Sequence, residues 1–346
     1  MMNPEEKEVS APGKLILLGE YAVLEGAHAL VASVDRRASV QWRTRELEFL
    51  LESSHLDRIL SFIIDENGTP LYDEQYPPDI KKLRFFNAAF ATGRQVLKER
   101  GRNLKPAHIK LDTSEFYTEQ GLKMGFGSSA ALTVSIIAAM LGTENLDLIY
   151  RSAIEAHRRA QGKIGSGIDI AASTWGGVIS YRRTPNEYQI KQLPEPRHPL
   201  YIIPVWSGQP ASTPRLVGQV NDFKKREPGS YIKMIDKLSR LSYSGIHAWS
   251  EVDIPAFLDI YREYGMILHQ LGRLSGTPIF SRSHLDISEI VTKSGAVYKP
   301  SGAGGGDIGV ALAGSHDKSE KTRRALSGAG FSLLPIRTAS AGVYYE

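Results

Sequence analysis

The chain has 346 residues, 42% of them hydrophobic and 23% charged, a formal charge of +4 and no cysteine. That length exceeds what one hydrophobic core usually supports, so two associated domains are expected, and the missing cysteines exclude disulfides and thiolate metal sites. Acidic residues near the N-terminus and short apolar runs such as Ile136–Leu141 point away from a signal peptide or membrane span and towards a cytoplasmic protein.

In chain order, the pattern predicts strands over Leu15–Leu18 and Ala29–Trp42, a turn at Asp65–Gly68 and an amphipathic helix over Phe85–Arg100. Ser128 and Ser129 then open an apolar helix as N-cap serines, with Gly142 closing it. Apolar positions at helical spacing from Leu146 to Ala160 predict a further helix ended by Gly162. A short helix over Ile170–Trp175 and a strand over Val178–Arg182 follow. Three prolines between Pro194 and Pro199 suggest a hinge. Beyond it are expected a strand (Tyr201–Trp206), helical segments including Phe257–Leu271, and strands over Asp307–Ala313, Phe331–Arg337 and Ala341–Tyr345. Helices and strands in both halves predict an α+β fold with domains at residues 1–190 and 191–346.

The mild basic excess suits anionic small molecules. Basic residues occur as scattered groups (Arg36-Arg37, Arg158-Arg159, Lys224-Lys225-Arg226), with neither a long stripe nor aromatic interleaving, which argues against nucleic acid. The chemical signal lies instead in glycine-rich segments. In Gly125-Phe126-Gly127-Ser128-Ser129-Ala130-Ala131, glycines let successive N–H groups converge at the head of a helix, whose partial positive charge adds to a cradle for a triphosphate. A serine hydroxyl there can ligate the Mg²⁺ that phosphoryl transfer requires. The segment is neither a Walker loop nor a dinucleotide fingerprint, lacking the Gly-Lys-Ser/Thr ending and the required glycine offset.

Together with Ala11-Pro12-Gly13-Lys14…Gly19-Glu20-Tyr21-Ala22-Val23 and Lys299-Pro300-Ser301-Gly302-Ala303-Gly304-Gly305-Gly306-Asp307, this segment resembles the three motifs of the GHMP kinase superfamily, in order and spacing. Gln161-Gly162-Lys163-Ile164-Gly165-Ser166-Gly167-Ile168-Asp169 and Ser207–Thr213 are most similar to the phosphomevalonate kinase family within it. Ala130-Ala131 stands where bacterial phosphomevalonate kinases often have Ser-Gly. His157 or Arg158, with Glu155 off register, stands where mevalonate kinases carry a Mg²⁺-binding glutamate.

The resemblance implies a two-domain fold: an N-terminal domain like ribosomal protein S5 domain 2 and a ferredoxin-like C-terminal domain, with the active site between them. It implies ATP as co-substrate, Mg²⁺, and a small-molecule acceptor, 5-phosphomevalonate before mevalonate or another hydroxyl. A non-catalytic sensor on the same scaffold is the reading from another class. Monomer and homodimer both remain open.

On that resemblance, ATP falls to Gly125, Gly127, Ser128, Ser129 and Ala130, and the metal to Ser129. Lys14 and Asp169 are the expected catalytic pair, and Lys14, Ser166, Asp169, Ser212, Ser301, Gly302 and Ala303 the expected acceptor contacts. From the residues alone, Asp169 serves equally as a cap of the next helix and Lys14 as a surface lysine. A phosphate acceptor would call for further cations, for which Lys123, Lys163 and Arg182 are candidates. His157 is expected to be structural, and Trp175 and Trp206 to be core or cleft wall.

Overall fold

The computed structural model describes residues 6–44, 47–73, 79–119, 121–162, 165–184, 187–195 and 200–346. Its spine is the antiparallel pair β1 (Glu6–Leu18) and β2 (Ala29–Thr44). After β3 (Phe49–Ser53), β4 (Leu60–Ile64) and β5 (Pro70–Tyr72) come α1 (Ile80–Glu99) and β6 (Ala107–Asp112), then helices α2 (Ser128–Leu141), α3 (Leu146–Gln161) and α4 (Ile168–Trp175). Strands β7 (Val178–Arg183) and β8 (Tyr188–Leu193) lead to β9 (Tyr201–Trp206) in a separate sheet. Helices α5 (Thr213–Arg226), α6 (Pro228–Ser250), α7 (Ile254–Ser275) and α8 (Arg282–Lys293) follow, then β10 (Val297–Pro300), β11 (Ile308–Ala313), α9 (His316–Gly328) and the short β12 (Tyr344–Tyr345).

Among the described residues the first sheet runs β12-β1-β2-β6-β3-β4-β5, with β7 and β8 extending from the early half of β2. The second, β10-β11-β9, is antiparallel. Most of β1 is buried because α2 and α4 pack against it and α7 also reaches it. Helix α2 is buried nearly all round, which is why its sequence is a plain apolar run without amphipathic spacing. Asn145 caps α3 by accepting from the Leu148 N–H at 3.0 Å, and Gly162 ends it in the left-handed region at φ 61°.

Three expectations change. The first strand is not confined to Leu15–Leu18: it begins at Glu6 and includes the Ala-Pro-Gly-Lys segment, passing the proline by a register shift between Pro12 and Gly13. The serines do not cap α2: Gly127 holds the N-cap position at φ 83°, and Ser128 begins the helix. The last segment does not form the two predicted strands. It makes single bridges, Leu333 to Val205 and Thr338 to Val34, and pairs as a strand only at Tyr344–Tyr345. It changes partner from the second sheet to the first within a few residues, and Pro335 has no N–H for a ladder. The proposed hinge lies mostly outside the described residues, which include only Pro194 and Glu195 of it.

The two sheets are joined where the first and third glycine motifs meet. Ser301 Oγ donates to Ile16 O and accepts from Ile16 N–H, both at 3.0 Å. Tyr21, held at φ 61°, donates its hydroxyl to Ala303 O at 2.7 Å. Beneath them the Lys299 ammonium pairs with Glu20, both side chains 0% exposed. From α7, the Tyr264 hydroxyl donates to Glu20 O and accepts from Gly19 N–H, each at 3.0 Å. Burial pushes Glu20 up and Lys299 down, and each charge opposes the other's shift.

Removing one member leaves an uncompensated buried charge, a loss of about 3–5 kcal/mol. Lys299→Met should therefore lower the unfolding free energy in urea titrations by about that amount. Adding Glu20→Gln to that variant should recover a substantial part, and no recovery would mean that the pair is not electrostatically coupled.

Candidate functional site

Lys14 reaches the site because Gly13 lets two chains meet: a Cβ on Gly13 would lie 2.7 Å from both the Phe116 ring and Phe126 O. That contact lets the Lys14 N–H donate to Phe126 O at 2.8 Å, fixing β1 against the Gly125–Ser129 loop. The Lys14 side chain then crosses Gly127, where an added Cβ would be 3.3 Å from Cε. Because a glycine at the N-cap offers no side chain, the first N–H groups of α2 keep their capacity for an external anion. On the loop's other side Gly125 abuts Asp307 of the third motif, 2.8 Å from an added Cβ to Asp307 Cβ.

Asp169 comes from α4, whose N-cap is Gly167 at φ 81°. A Cβ there would collide with Ile154 Cδ1 at 2.5 Å. Asp169 is therefore in the first turn rather than at the cap, and its carboxylate lines a cavity of about 270 Å³ with Lys14, Ser166, Gly302 and Ala303. Burial lowers the pKa of Lys14, while Asp169, Asp307 and Glu20 oppose that shift and favour its charge. Burial raises Asp307, which accepts from Ala211 N–H at 3.1 Å.

The expected site residues divide accordingly. Lys14, Ser166, Asp169, Gly302 and Ala303 share the cavity, and the loop bearing Gly125, Gly127, Ser128, Ser129 and Ala130 adjoins it through Lys14. Ser301 instead has its hydroxyl engaged by Ile16, and Ser212 is exposed at the head of α5 beside the cavity-lining Thr213 and Pro214. Gly304, Gly305 and Gly306 pack against Ile279, Leu216 and Gln209 of their own half, so only the start of the third motif faces the cavity. Arg182 donates to Gly26 O at 2.9 Å, whereas its neighbour Arg183 lines the cavity. Lys123 lies within electrostatic reach of Lys14 and Asp307. Lys163 lies outside the described residues.

The GHMP kinase N-terminal domain model matches residues 87–177, which hold the α2 loop and Asp169. A phosphomevalonate kinase of Streptomyces sp. is 30% identical over 370 residues, covering 96% of this chain and 97% of the relative. The chain belongs to the GHMP kinase family. Bovine mevalonate kinase is 26% identical, covering 97% of this chain and 93% of its own. The Streptococcus pneumoniae phosphomevalonate kinase, solved with phosphomevalonate and AMPPNP, shares the fold of this GHMP kinase at TM-score 0.80 and 20% identity, covering 96% and 99% of the two chains.

Several contributors were not legible in the sequence. His157, expected to be structural, lines the cavity of this GHMP kinase. Its Nε2 lies 3.4 Å from Ser129 Oγ, its ring stacks on Phe85 at 5.1 Å, and burial lowers its pKa. Among the described residues no three His, Asp or Glu side chains form a metal cage. A lone hydroxyl at a phosphate-type loop still fits Mg²⁺, which takes few protein ligands and fills its octahedron with nucleotide phosphates and water.

Buried His284 braces the third motif. A carbonyl can only accept, so Nε2 donates to Gly306 O at 3.0 Å, and Nδ1 accepts from the Tyr298 hydroxyl at 2.7 Å. Burial lowers its pKa to about 4. Below an ordinary value of about 6.5 the unfolded chain binds a proton that the folded chain excludes, so this histidine makes stability fall as pH drops from about 6.5 to 4. The contribution is about 3 kcal/mol, and the stability gap between wild type and His284→Gln should shrink by that amount across this window in urea titrations at successive pH values.

Proposed function

We propose that this GHMP kinase transfers the γ-phosphoryl group of ATP to the phosphate of 5-phosphomevalonate, giving 5-diphosphomevalonate and ADP. The observation that carries this reading is the convergence of Lys14 and Asp169 in one cavity, with Lys14 lying across Gly127 of the α2 loop. Residues 1–190 and 191–346 are read as the two domains, the first supplying the loop and this pair, the second closing the cavity with Gly302 and Ala303.

The uncapped N–H groups of Ser128 and Ser129 and the α2 dipole receive the nucleotide's phosphates, while the Ala130 N–H already donates to Gly127 O. Ser129 would hold Mg²⁺, which when bound neutralises charge across the β- and γ-phosphates. An acceptor oxygen forms the new bond to the γ-phosphorus as the bond to the β–γ bridging oxygen breaks, and ADP leaves with that electron pair. Lys14 stabilises the negative charge on the transferring group. A phosphate monoester has a second pKa of about 6, so the acceptor is largely deprotonated at neutral pH. Asp169 therefore needs to orient the acceptor and balance Lys14 rather than remove a proton. Lys123, beside Lys14 and Asp307, adds positive charge for a doubly anionic acceptor.

ADP formation should be fastest with 5-phosphomevalonate when mevalonate, 5-phosphomevalonate and 5-diphosphomevalonate are compared. Faster turnover of mevalonate would replace the acceptor while leaving the kinase reading intact. Asp169→Asn, through lost positioning of the acceptor, and Lys14→Met, through lost charge stabilisation, should each lower kcat about 10²–10³-fold while nucleotide affinity, measured by calorimetry, stays within about threefold. Unchanged turnover in both would remove the catalytic assignment of this pair, whereas wild-type protein that binds ATP but turns over no acceptor would be a ligand sensor.

A further inference from the structure

We propose that Arg158 and Arg183 form the recognition site for the carboxylate end of the acceptor, the end remote from the group that receives the phosphoryl. Both arginines line the cavity that holds Lys14 and Asp169. Among the described residues neither forms a salt bridge: Arg159 takes Glu155, leaving Arg158 without a carboxylate partner. Among the described residues the buried Nε of Arg158 has no hydrogen-bond partner, and the one hydrogen bond of the Arg183 side chain is a 3.3 Å contact from a terminal nitrogen to Gly165 O. Of the cavity's own carboxylates, Glu20 pairs with Lys299 through Oε1, and Asp169 favours the charged form of Lys14. Both arginines also line an adjoining surface pocket with Glu155 and Glu187; among the described residues neither carboxylate is in salt-bridge contact with them, so a planar forked donor with an unused N–H remains for an incoming carboxylate to take in two-point fashion.

The positions select which anionic group belongs there. Lys14, Lys123 and Asp307 cluster at the α2 loop, where the reacting phosphates must lie. The arginines instead flank the Tyr181 hydroxyl, whose ionisation feels Arg183, Asp169 and Arg158. Asp169 thus stands between two cationic ends. An acceptor with an anionic group at each end fits when its reacting end lies at Lys14 and its other end at the arginines. Tyr181 keeps the wall in place by donating to Ser166 O at 2.6 Å while accepting from Tyr150, 2.9 Å away.

This inference rests on the acceptor being a short acid phosphorylated at its far end, as proposed above. The test separates the two. Calorimetry in the absence of ATP would measure binding of R-mevalonate and of 5-phosphomevalonate to wild type, Arg158→Gln and Arg183→Gln, with the carboxamide of each compound as the uncharged control. Arg→Lys variants at both positions check that losses follow the forked geometry, and the ATP affinity of each variant reports an intact fold. Each Gln variant should bind the acids about ten- to a hundredfold more weakly than wild type and the carboxamides almost equally, with ATP affinity within about twofold. Acid affinity within twofold of wild type in both variants, or an equal loss for the carboxamides, would overturn the carboxylate site even if 5-phosphomevalonate is turned over normally. Arginine-dependent binding of the acids without turnover would instead retain the site and reject the kinase acceptor. Failure of wild type to bind either acid would overturn the site outright.

Discussion

The cavity exists because the strand carrying Lys14 is bonded on both sides at once. Towards the α2 loop it donates to Phe126 through the Lys14 N–H, which only a glycine at position 13 permits. Towards the second sheet it is held by Ser301, Tyr21 and the enclosed Glu20–Lys299 pair. Together these attachments fix where the ammonium of Lys14 stands relative to Gly302 and Ala303. A buried ion pair is a poor source of net stability because desolvation offsets most of the attraction. Here it does something else: apolar residues of similar volume could slide, whereas a paired charge tolerates one register between the two motifs.

The electrostatics follow from that anchoring. Burial strips Lys14 of water and lowers its pKa, and three carboxylates from separate parts of the chain, Asp169, Asp307 and Glu20, oppose that shift. Asp307 is itself raised by burial and held by the Ala211 N–H, so the loop after β9 is drawn into the same arrangement. A site built this way carries its charges in place before a ligand arrives, and little reorganisation remains for the reaction.

Much of this was readable from residues, and the failures have physical causes. The loop before α2 was identifiable because glycine spacing and helix starts are local properties, whereas Lys14 and Asp169 were singled out by the resemblance to the family's motifs. The all-buried α2 was found by its apolar run, though its cap was misplaced by one residue, since a glycine cap in the left-handed region leaves no side-chain signature. Ser301 was read as a ligand contact, but it bonds Ile16, and Gly304 of the same motif is small to admit Ile279. Close packing and ligand approach both select small residues, and sequence does not separate them. Arg183 rather than Arg182 faces the cavity because β7 alternates its faces, and fixing that parity requires the pairing of β7 with β2. His157, Glu20 and Lys299 act through partners 28 and 279 positions away, which no local pattern discloses.

The last stretch of chain closes part of the first half. Ala339 exchanges main-chain bonds with Ser33 and Gly177, Val343 donates to Thr174, and Gly342 fits where a Cβ would come within 2.2 Å of Thr174 O. The turn after α4, and with it the helix that presents Asp169, is therefore finished by residues that emerge from the ribosome some 160 positions later. During synthesis the early half must wait with that seam open until the last residues have been made.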